Sequence, residues 1–214
     1  MSYTSTNSDQ NIIHIQDRSY YLVPTSDCLI TSTVLQAKTK NDLLAAVPYA
    51  LEEELTEPVE SLHFAVGEVS SLGVNPVIVV SKQNMQKWTG ALADNVDVIL
   101  PDVLALPWKK STWSVVIDKD RALVRTGLHE GFECDVRQLK VQLQLFQKHK
   151  TKPVKLNVWL PQSKQKLDIP NNIAETIQGY QYKKSFRDWL AASANPIQDL
   201  NLLSGEFGSK STTT

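Results

Sequence analysis

The spacing of apolar residues along the chain changes between the two-residue period of strands and the longer period of helices. In the first half, Thr39 is a candidate helix N-cap with Asp42 three residues later, and an apolar stripe at helical spacing runs on to Leu55. Pro48 interrupts this stripe and predicts a kink or a new helix start. A second helix is predicted from Ser81. Short apolar-rich runs predict strands at residues 11–16, 20–23, 28–35, 62–66, 77–80 and 96–100.

The second half repeats this order of elements. Strands are predicted at residues 113–117, 123–125, 132–136 and 154–160, with helices at 136–149 and around 183–194. Each half therefore contains three strands, which we expect to form a meander, then a helix and a further strand. This is the order of a ribonuclease-H-like fold, and two such halves in tandem make an actin-like architecture. We predict a mixed α/β (α+β) fold with degenerate actin-like halves. The predicted division is a disordered N-terminus at 1–10, halves at 11–107 and 108–200, and a juxtamembrane segment with a flexible tail at 201–214.

Actin-like ATPases need a glycine-bearing hairpin between the first two strands of each half, where the backbone approaches phosphate. The corresponding turns, at residues 16–19 and 118–121, contain no glycine. Asp17 and Asp118 are the residues to nominate for chemistry there, but aspartate in a tight turn usually serves the turn itself. None of the eight glycines forms a Gly-x-Gly cluster, and the four histidines show no metal-ligand spacing. We therefore predict no enzyme activity, no catalytic residue, no cofactor and no metal.

The two cysteines, Cys28 and Cys134, both lie among apolar residues, so we interpret them as buried free thiols in a reducing compartment, with a disulfide between them left open. A nucleophile pair of Cys134 with His129 is disfavoured, because the two are five residues apart across a strand start. The chain shows no signal peptide and no apolar run long enough to span a bilayer. We expect a soluble, cytoplasmic chain.

The net charge of −1 is a cancellation between two parts of the chain. Residues 1–137 hold 11 Lys and Arg against 18 Asp and Glu, whereas residues 138–190 hold 10 against 3. The acidic run after the first helix is either a solvated helix face or a docking surface for a basic partner, and for docking we nominate Glu52, Glu53 and Glu57.

The basic part of the chain suits either nucleic acid or an anionic membrane surface. Its aromatic residues lie at core spacing and are not interleaved with the cations for base stacking, so we do not expect nucleic acid as a partner. The cluster comprises Lys148, Lys150, Lys152, Lys155, Lys164, Lys166, Lys183, Lys184 and Arg187.

Several segments together resemble the inner-membrane protein L family of the type II secretion system. Residues 47–55 (VPYALEEEL) and 59–65 (VESLHFA) are similar to that family's Pro-Tyr-x-Leu-Glu-Glu and His-Phe block. Residues 100–107 (LPDVLALP) resemble its link between halves, and 123–127 (LVRTG) with Gly131 and Phe132 resemble its second hairpin. Residues 201–207 (NLLSGEF) are similar to the signature that precedes its transmembrane helix.

The resemblance implies a cytoplasmic, actin-like domain that has lost nucleotide binding. It implies an adaptor that recruits the secretion ATPase, protein E, to the inner membrane through the N-terminal domain of that ATPase. Protein M and other platform proteins would bind through regions absent from this chain, and a homodimer is left open. The full-length protein would be membrane-associated, with this chain on the cytoplasmic face. The alternatives are a nucleotide-binding actin-like ATPase or a pilus-assembly actin-like adaptor.

Overall fold

The computed structural model describes residues 11–92, 96–149, 153, 155–160, 167–182 and 185–208. Strands and helices alternate over this part of the chain, and the predicted mixed α/β class is confirmed. The strands are β1 Ile12–Ile15, β2 Arg18–Val23, β3 Cys28–Thr33, β4 Leu62–Val66, β5 Asn75–Ser81, β6 Val98–Pro101, β7 Thr112–Asp118, β8 Arg121–Arg125, β9 Gly131–Asp135, β10 Lys155–Leu160 and β11 Ile177–Tyr182. The helices are α1 Lys40–Leu51, α2 Lys82–Ala91, α3 Leu139–His149, α4 Asn171–Ala174 and α5 Phe186–Ser193.

The chain divides into two compact units. The first comprises the residues up to Pro101 together with those from Gln198 onward, and the second comprises residues 102–197. The sequence placed these divisions a few residues later, at 107/108 and 200/201. Asp102 belongs to the second unit because its carboxylate pairs with Arg121 of β8 at 2.8 Å. Gln198 belongs to the first unit, where its side chain accepts a hydrogen bond from Arg18.

The first unit contains two three-stranded sheets. One has the order β1-β2-β6, with β2 antiparallel to β1 and parallel to β6. The other has the order β3-β5-β4 and is antiparallel throughout. The three-strand meander expected in this half is therefore not formed. A short 3-10 turn at Thr25–Asp27 separates β2 from β3, and β3 pairs with β5 instead of with β2.

Helix α1 covers one face of the β3-β5-β4 sheet. It begins at the predicted cap, where the Thr39 hydroxyl accepts a hydrogen bond from the backbone N–H of Asp42 at 3.1 Å. It then runs continuously through Pro48, so no new helix begins there as the sequence had allowed. Val47 and Leu51 are fully buried against the sheet, and this tertiary packing compensates for the hydrogen bond that proline cannot donate.

The second unit is one five-stranded sheet with the order β11-β10-β7-β8-β9. β7, β8 and β9 form the antiparallel meander that the sequence predicted. β10, the further strand predicted after the helix, lies parallel to β7. β11 lies parallel to β10 at the edge and was not predicted, because its sequence IQGYQY is polar and contains glycine. The apolar residues of β7, β8 and β10 pack against α3 and α4 to form the core of this unit.

Candidate functional site

The acidic residues nominated for partner binding lie together on the connection between α1 and β4. Glu52 and Glu53 belong to a 3-10 turn that directly follows α1, and Glu57 lies in the loop beyond it. All three side chains are exposed, and the adjacent Tyr49 in the last turn of α1 is 72% exposed. Tyr49 precedes Glu52 and Glu53 by three and four residues in the sequence, across the point where α1 ends and the 3-10 turn begins.

The charge of this connection is not neutralised locally. Among the described residues, none of the three carboxylates forms an ion pair with a lysine, arginine or histidine. The neighbouring Leu51 is 1% exposed, so the connection is fixed to the core of the first unit at its start. The result is an anchored, exposed and negatively charged surface with one large aromatic side chain, which we call the acidic connection (Tyr49–Glu57).

The two aspartates nominated for catalysis lie in tight turns, each within its own unit. Asp17 is exposed in the β1–β2 turn, where the preceding Gln16 has a φ of 54°. Asp118 ends β7, and Lys119 after it has a φ of 59°. Non-glycine residues with positive φ are uncommon and typical of such turns, so the hairpins close without the glycines that a phosphate-binding turn requires.

Asp118 takes part in a charge cluster centred on Arg121 of β8. The guanidinium lies 2.8 Å from the Asp102 carboxylate, 3.4 Å from Glu133 and 3.7 Å from Asp118. Burial alone would lower the pKa of Arg121, but the three carboxylates raise it above its ordinary value. The cation that faces these carboxylates is therefore supplied by the chain itself. This cluster was not predicted, although the spacing of Asp118 and Arg121 across a tight turn is a local signal for their pairing.

Both cysteines are free, as the sequence predicted, but they are partly buried and not fully buried as expected. Cys134 lies on β9 and packs against the core of the second unit. Burial, followed by the nearby Asp135 and Glu133 carboxylates, raises the pKa of its thiol to about 11. At neutral pH the thiol is therefore protonated and a poor nucleophile. Among the described residues, no group of three or more His, Cys, Asp or Glu side chains is placed to hold a metal ion.

Only part of the basic cluster falls within the structure. Lys148 at the end of α3 and Lys155 at the start of β10 are exposed. Lys150, Lys152, Lys164, Lys166, Lys183 and Lys184 lie outside the described residues. Over the ranges that the structure describes, no helix is long and apolar enough to cross a membrane.

The last described residues return to the first unit and pack along it as a segment, residues 198–207, that contains no strand and ends in a 3-10 turn at Gly205–Phe207; we call this segment the strap. Leu200 and Leu202 are buried, and the Leu202 N–H donates to the Ile99 carbonyl of β6 at 3.0 Å. The Asn201 side chain accepts from the Ile99 N–H at 3.1 Å and donates to the Asp97 carbonyl at 3.0 Å. The Asn201 side chain of the NLLSGEF signature therefore makes two hydrogen bonds to backbone groups at β6, as the backbone of a neighbouring strand would.

The far end of the strap is held by β4 and α2. The His63 ring nitrogen Nε2 lies 2.9 Å from the Leu202 carbonyl, and the ring meets that of Phe207 edge-on at 5.0 Å. Lys82 at the start of α2 pairs with Glu206 at 3.1 Å. Residues 201–214 were expected to form a juxtamembrane segment and tail. These contacts could not be predicted from local sequence because they join residues more than a hundred positions apart.

These observations define a two-unit mixed α/β protein with an exposed acidic connection and a C-terminal strap on its first unit. The chain belongs to the protein L family of the type II secretion system, because the model of that family, described as type II secretion system (T2SS), protein L, matches residues 5–210.

Curated relatives named type II secretion system protein L are similar over about half of the chain. The protein from Dickeya chrysanthemi is 33% identical over 107 residues, which cover 49% of this chain and 27% of that protein. The protein from Klebsiella pneumoniae is 34% identical over 120 residues, 55% of this chain and 28% of that protein. The protein from Vibrio cholerae is 31% identical over 127 residues, 56% of this chain and 30% of that protein. The matched region is thus less than a third of each relative.

A solved structure has a similar fold. It is the cytoplasmic domain of EpsL, an inner membrane component of the type II secretion system of Vibrio cholerae. The superposition has a TM-score of 0.68 and covers 88% of this chain and 78% of that one, at 23% sequence identity. This likeness supports the mixed α/β fold. The actin-like description of the two halves stays a prediction.

Proposed function

We propose that this chain is a non-enzymatic adaptor that recruits the cytoplasmic secretion ATPase, protein E, to the inner-membrane platform of the type II secretion system. The observation that carries the proposal is the match to the protein L family over nearly the whole chain. The chain would lie on the cytoplasmic face of the inner membrane, and protein M would bind through other regions of the full-length protein.

The acidic connection is the surface that we propose for part of the ATPase contact. Glu52, Glu53 and Glu57 are exposed and form no ion pair with a described residue, so a basic partner would not need to displace a local cation. Tyr49, in the last turn of α1 just before them in the sequence, adds a large ring that is 72% exposed. Tyrosine is enriched among the residues that dominate interface energies, and rim charges of this kind speed association and select the partner.

Calorimetry with the isolated N-terminal domain of the partner ATPase tests the adaptor function. We expect binding at micromolar concentration or tighter, and affinity that falls as salt screens the acidic connection. Absence of detectable binding at micromolar concentrations would contradict the adaptor function itself.

Charge reversal tests the location of the contact separately. The double variant Glu52→Lys and Glu53→Lys should weaken binding at least about tenfold and flatten its salt dependence, because two attractive charges become repulsive. The matched control reverses two other exposed glutamates, Glu68→Lys and Glu175→Lys, which changes the net charge equally. If both double variants bind alike, the acidic connection is not the contact surface.

A nucleotide-binding actin-like ATPase is the alternative from a different class. The hairpin turns lack glycine, and Arg121 already faces the carboxylates of Asp102, Glu133 and Asp118, so neither observation favours it. A thermal-shift assay with Mg-ATP distinguishes the two functions. A ligand at a hundred times its dissociation constant adds about 2.7 kcal/mol to the free energy of unfolding. We expect no shift, whereas a clear Mg-ATP-dependent rise in Tm would favour the ATPase.

A further inference from the structure

Helix α3 of the second unit carries apolar residues on two sides. On the inner side, Leu139, Leu143 and Phe146 pack into the core of the unit. On the outer side, Val141 and Leu145 follow each other one turn apart and are 55% and 46% exposed. A helix that packs through one side normally carries polar residues on the other. The outer apolar pair therefore lies outside the core and is open to contact.

The outer side of α3 borders an open groove of about 760 Å³ between α3 and α4. Amide side chains lie beside the apolar pair in this groove, and a lysine in the last turn of α3 supplies a cation. The lining residues are Val141, Gln144, Leu145, Gln147, Lys148 and Asn172. We call these six residues the α3 groove. It offers a small apolar contact with hydrogen-bonding groups and a positive charge beside it.

Two contacts connect α3 to the segment that contains α4. Lys140 in the first turn of α3 pairs with Asp168 at 2.9 Å. At the other end of the helix, the Asn172 side chain of α4 donates a hydrogen bond to the Gln147 side chain at 3.1 Å. Both sides of the groove are thus held in place before a partner arrives, which reduces the entropic cost of binding.

The charge of the groove is positive. Asp168 neutralises Lys140, whereas Lys148 pairs with no carboxylate within the described ranges. The surrounding sequence, residues 138–190, holds 10 Lys and Arg against 3 Asp and Glu. Such a surface attracts a negatively charged partner and repels a positively charged one.

We propose that the α3 groove binds an acidic amphipathic helix of a partner protein. Helices that dock in this way present apolar residues at i, i+3, i+4 and i+7 to a groove on the other protein. The apolar residues of the partner helix contact Val141 and Leu145, and a flanking carboxylate pairs with Lys148. Polar side chains at the edge of the partner helix pair with the groove amides, so these amides are not desolvated without a hydrogen bond.

An anionic membrane is the other kind of surface that a basic, partly apolar face can contact. Helices that lie in a membrane interface bury a broad apolar face with large residues such as Trp, Phe and Leu. The outer side of α3 offers two aliphatic side chains next to a concave surface lined with amides. A flat bilayer would cover those amides without pairing them, so the shape and the polarity favour a protein helix. The proposal concerns the second unit and does not depend on ATPase recruitment at the acidic connection.

Calorimetry with two designed peptides tests the chemistry of the partner. Each peptide is an amphipathic helix of about 20 residues with leucine at i, i+3, i+4 and i+7 spacing, and the polar positions are glutamate in one and lysine in the other. We expect the 214-residue chain to bind the glutamate peptide with a Kd of about 10–100 μM, since the contact is smaller than a standard interface. Raising the salt from about 50 mM to about 300 mM should weaken binding several-fold. The lysine peptide should not bind at concentrations up to about 1 mM.

Variants of exposed residues test the location. The double variant Val141→Gln and Leu145→Gln should weaken binding of the glutamate peptide at least about tenfold, because the apolar contact is lost. Its control is Leu72→Gln, a leucine of the first unit that is 85% exposed. Lys148→Glu should weaken binding at least about threefold, whereas Lys110→Glu, an exposed lysine elsewhere in the second unit, should have a smaller effect. Circular dichroism checks that each variant is folded.

Sedimentation with vesicles of phosphatidylglycerol and phosphatidylethanolamine tests the membrane alternative. We expect any vesicle binding to be unaffected by the Val141 and Leu145 substitutions. The proposal is overturned if the two peptides bind alike, if the double variant binds the glutamate peptide as tightly as the wild type, or if vesicles bind through Val141 and Leu145 while the glutamate peptide does not bind.

Discussion

Replacing His63 with leucine should loosen the strap from the first unit. His63 is 5% exposed on β4, and its Nε2 donates to the Leu202 carbonyl at 2.9 Å. Leucine fills similar apolar volume but provides no donor. The Leu202 carbonyl keeps a hydrogen bond from the Ser204 N–H at 2.9 Å, so the loss of the histidine bond costs about 0.5–1.5 kcal/mol. The edge-on contact with Phe207 adds about 0.5–1.5 kcal/mol. The strap should therefore lose about 1–3 kcal/mol of local stability.

Hydrogen exchange measures this change directly. The Leu202 amide donates to the Ile99 carbonyl of β6, a bond that requires a docked strap, whereas the Leu203 amide donates to the Asn201 side chain within the strap itself. The protection of the Leu202 amide should fall roughly 5- to 150-fold in His63→Leu, the equivalent of about 1–3 kcal/mol. The control His14→Leu removes an exposed histidine from the same unit and should have no such effect. Protection in His63→Leu within about threefold of the wild type would refute the reasoning.

The same histidine makes the strap sensitive to acid. Burial lowers the pKa of His63 below its ordinary value of 6.5, against the opposing effects of the Leu202 carbonyl and Glu206, while Lys82 acts in the same direction as burial. A histidine with a lowered pKa contributes its full stability above pH 6.5, and this contribution is lost as the pH falls through the folded-state pKa. Strap protection should therefore decrease below pH 6.5. His63→Gln can keep a donor without titrating, so its protection should depend less on pH.

Three further variants test local features of the fold. Thr39→Ala removes the oxygen that caps α1 and should lower the free energy of unfolding by about 1 kcal/mol, measured by denaturant titration. Gly67→Ala would place its Cβ 2.8 Å from the Asp199 carboxylate and should destabilise the strap by about 1–3 kcal/mol, seen as faster exchange of its amides. Because the pKa of Cys134 is about 11, its alkylation at pH 8 in a Cys28→Ser background should be at least about tenfold slower than that of free cysteine, even though a thiolate of higher pKa is intrinsically more nucleophilic.

Most elements of the fold could be predicted because their signals are local. The Thr39 cap and the apolar stripe that includes the buried Val47 and Leu51 predicted α1. The apolar runs of β7 and β10 predicted buried strands in the second unit. Strand pairing is not local. Nothing within residues 28–35 shows whether β3 pairs with β2 or with β5. The prediction of a meander in the first half was wrong for that reason.

The candidate surfaces also differ in whether a local sequence signal predicts them. The exposure of Glu52, Glu53 and Glu57 followed from an acidic run after an amphipathic helix. The docking of the strap did not, since the contact of His63 with Leu202 joins residues 139 positions apart. β11 was missed because its alternating Gln and Tyr residues carry none of the β-branched residues that mark strands, apart from Ile177.

Strand β4 contacts both α1 and the strap, so it can couple the acidic connection to the strap. Successive residues of a strand point to opposite faces. Leu62 packs against α1, at whose end the acidic connection begins, and His63 holds the strap. If the ATPase domain binds at Glu52 and Glu53 and shifts α1, the displacement of α1 should therefore be transmitted to the strap through β4.

Hydrogen exchange of the Leu202 and Leu203 amides, with and without the ATPase domain, measures this coupling. A change in their protection that disappears in the double variant Glu52→Lys and Glu53→Lys would be the expected result. If the strap amides exchange at the same rate in the free and bound states while binding is intact, then β4 does not couple the two surfaces. The strap would in that case be a fixed attachment of the first unit, since its contacts with Ile99, Asp97 and Lys82 hold it independently of α1.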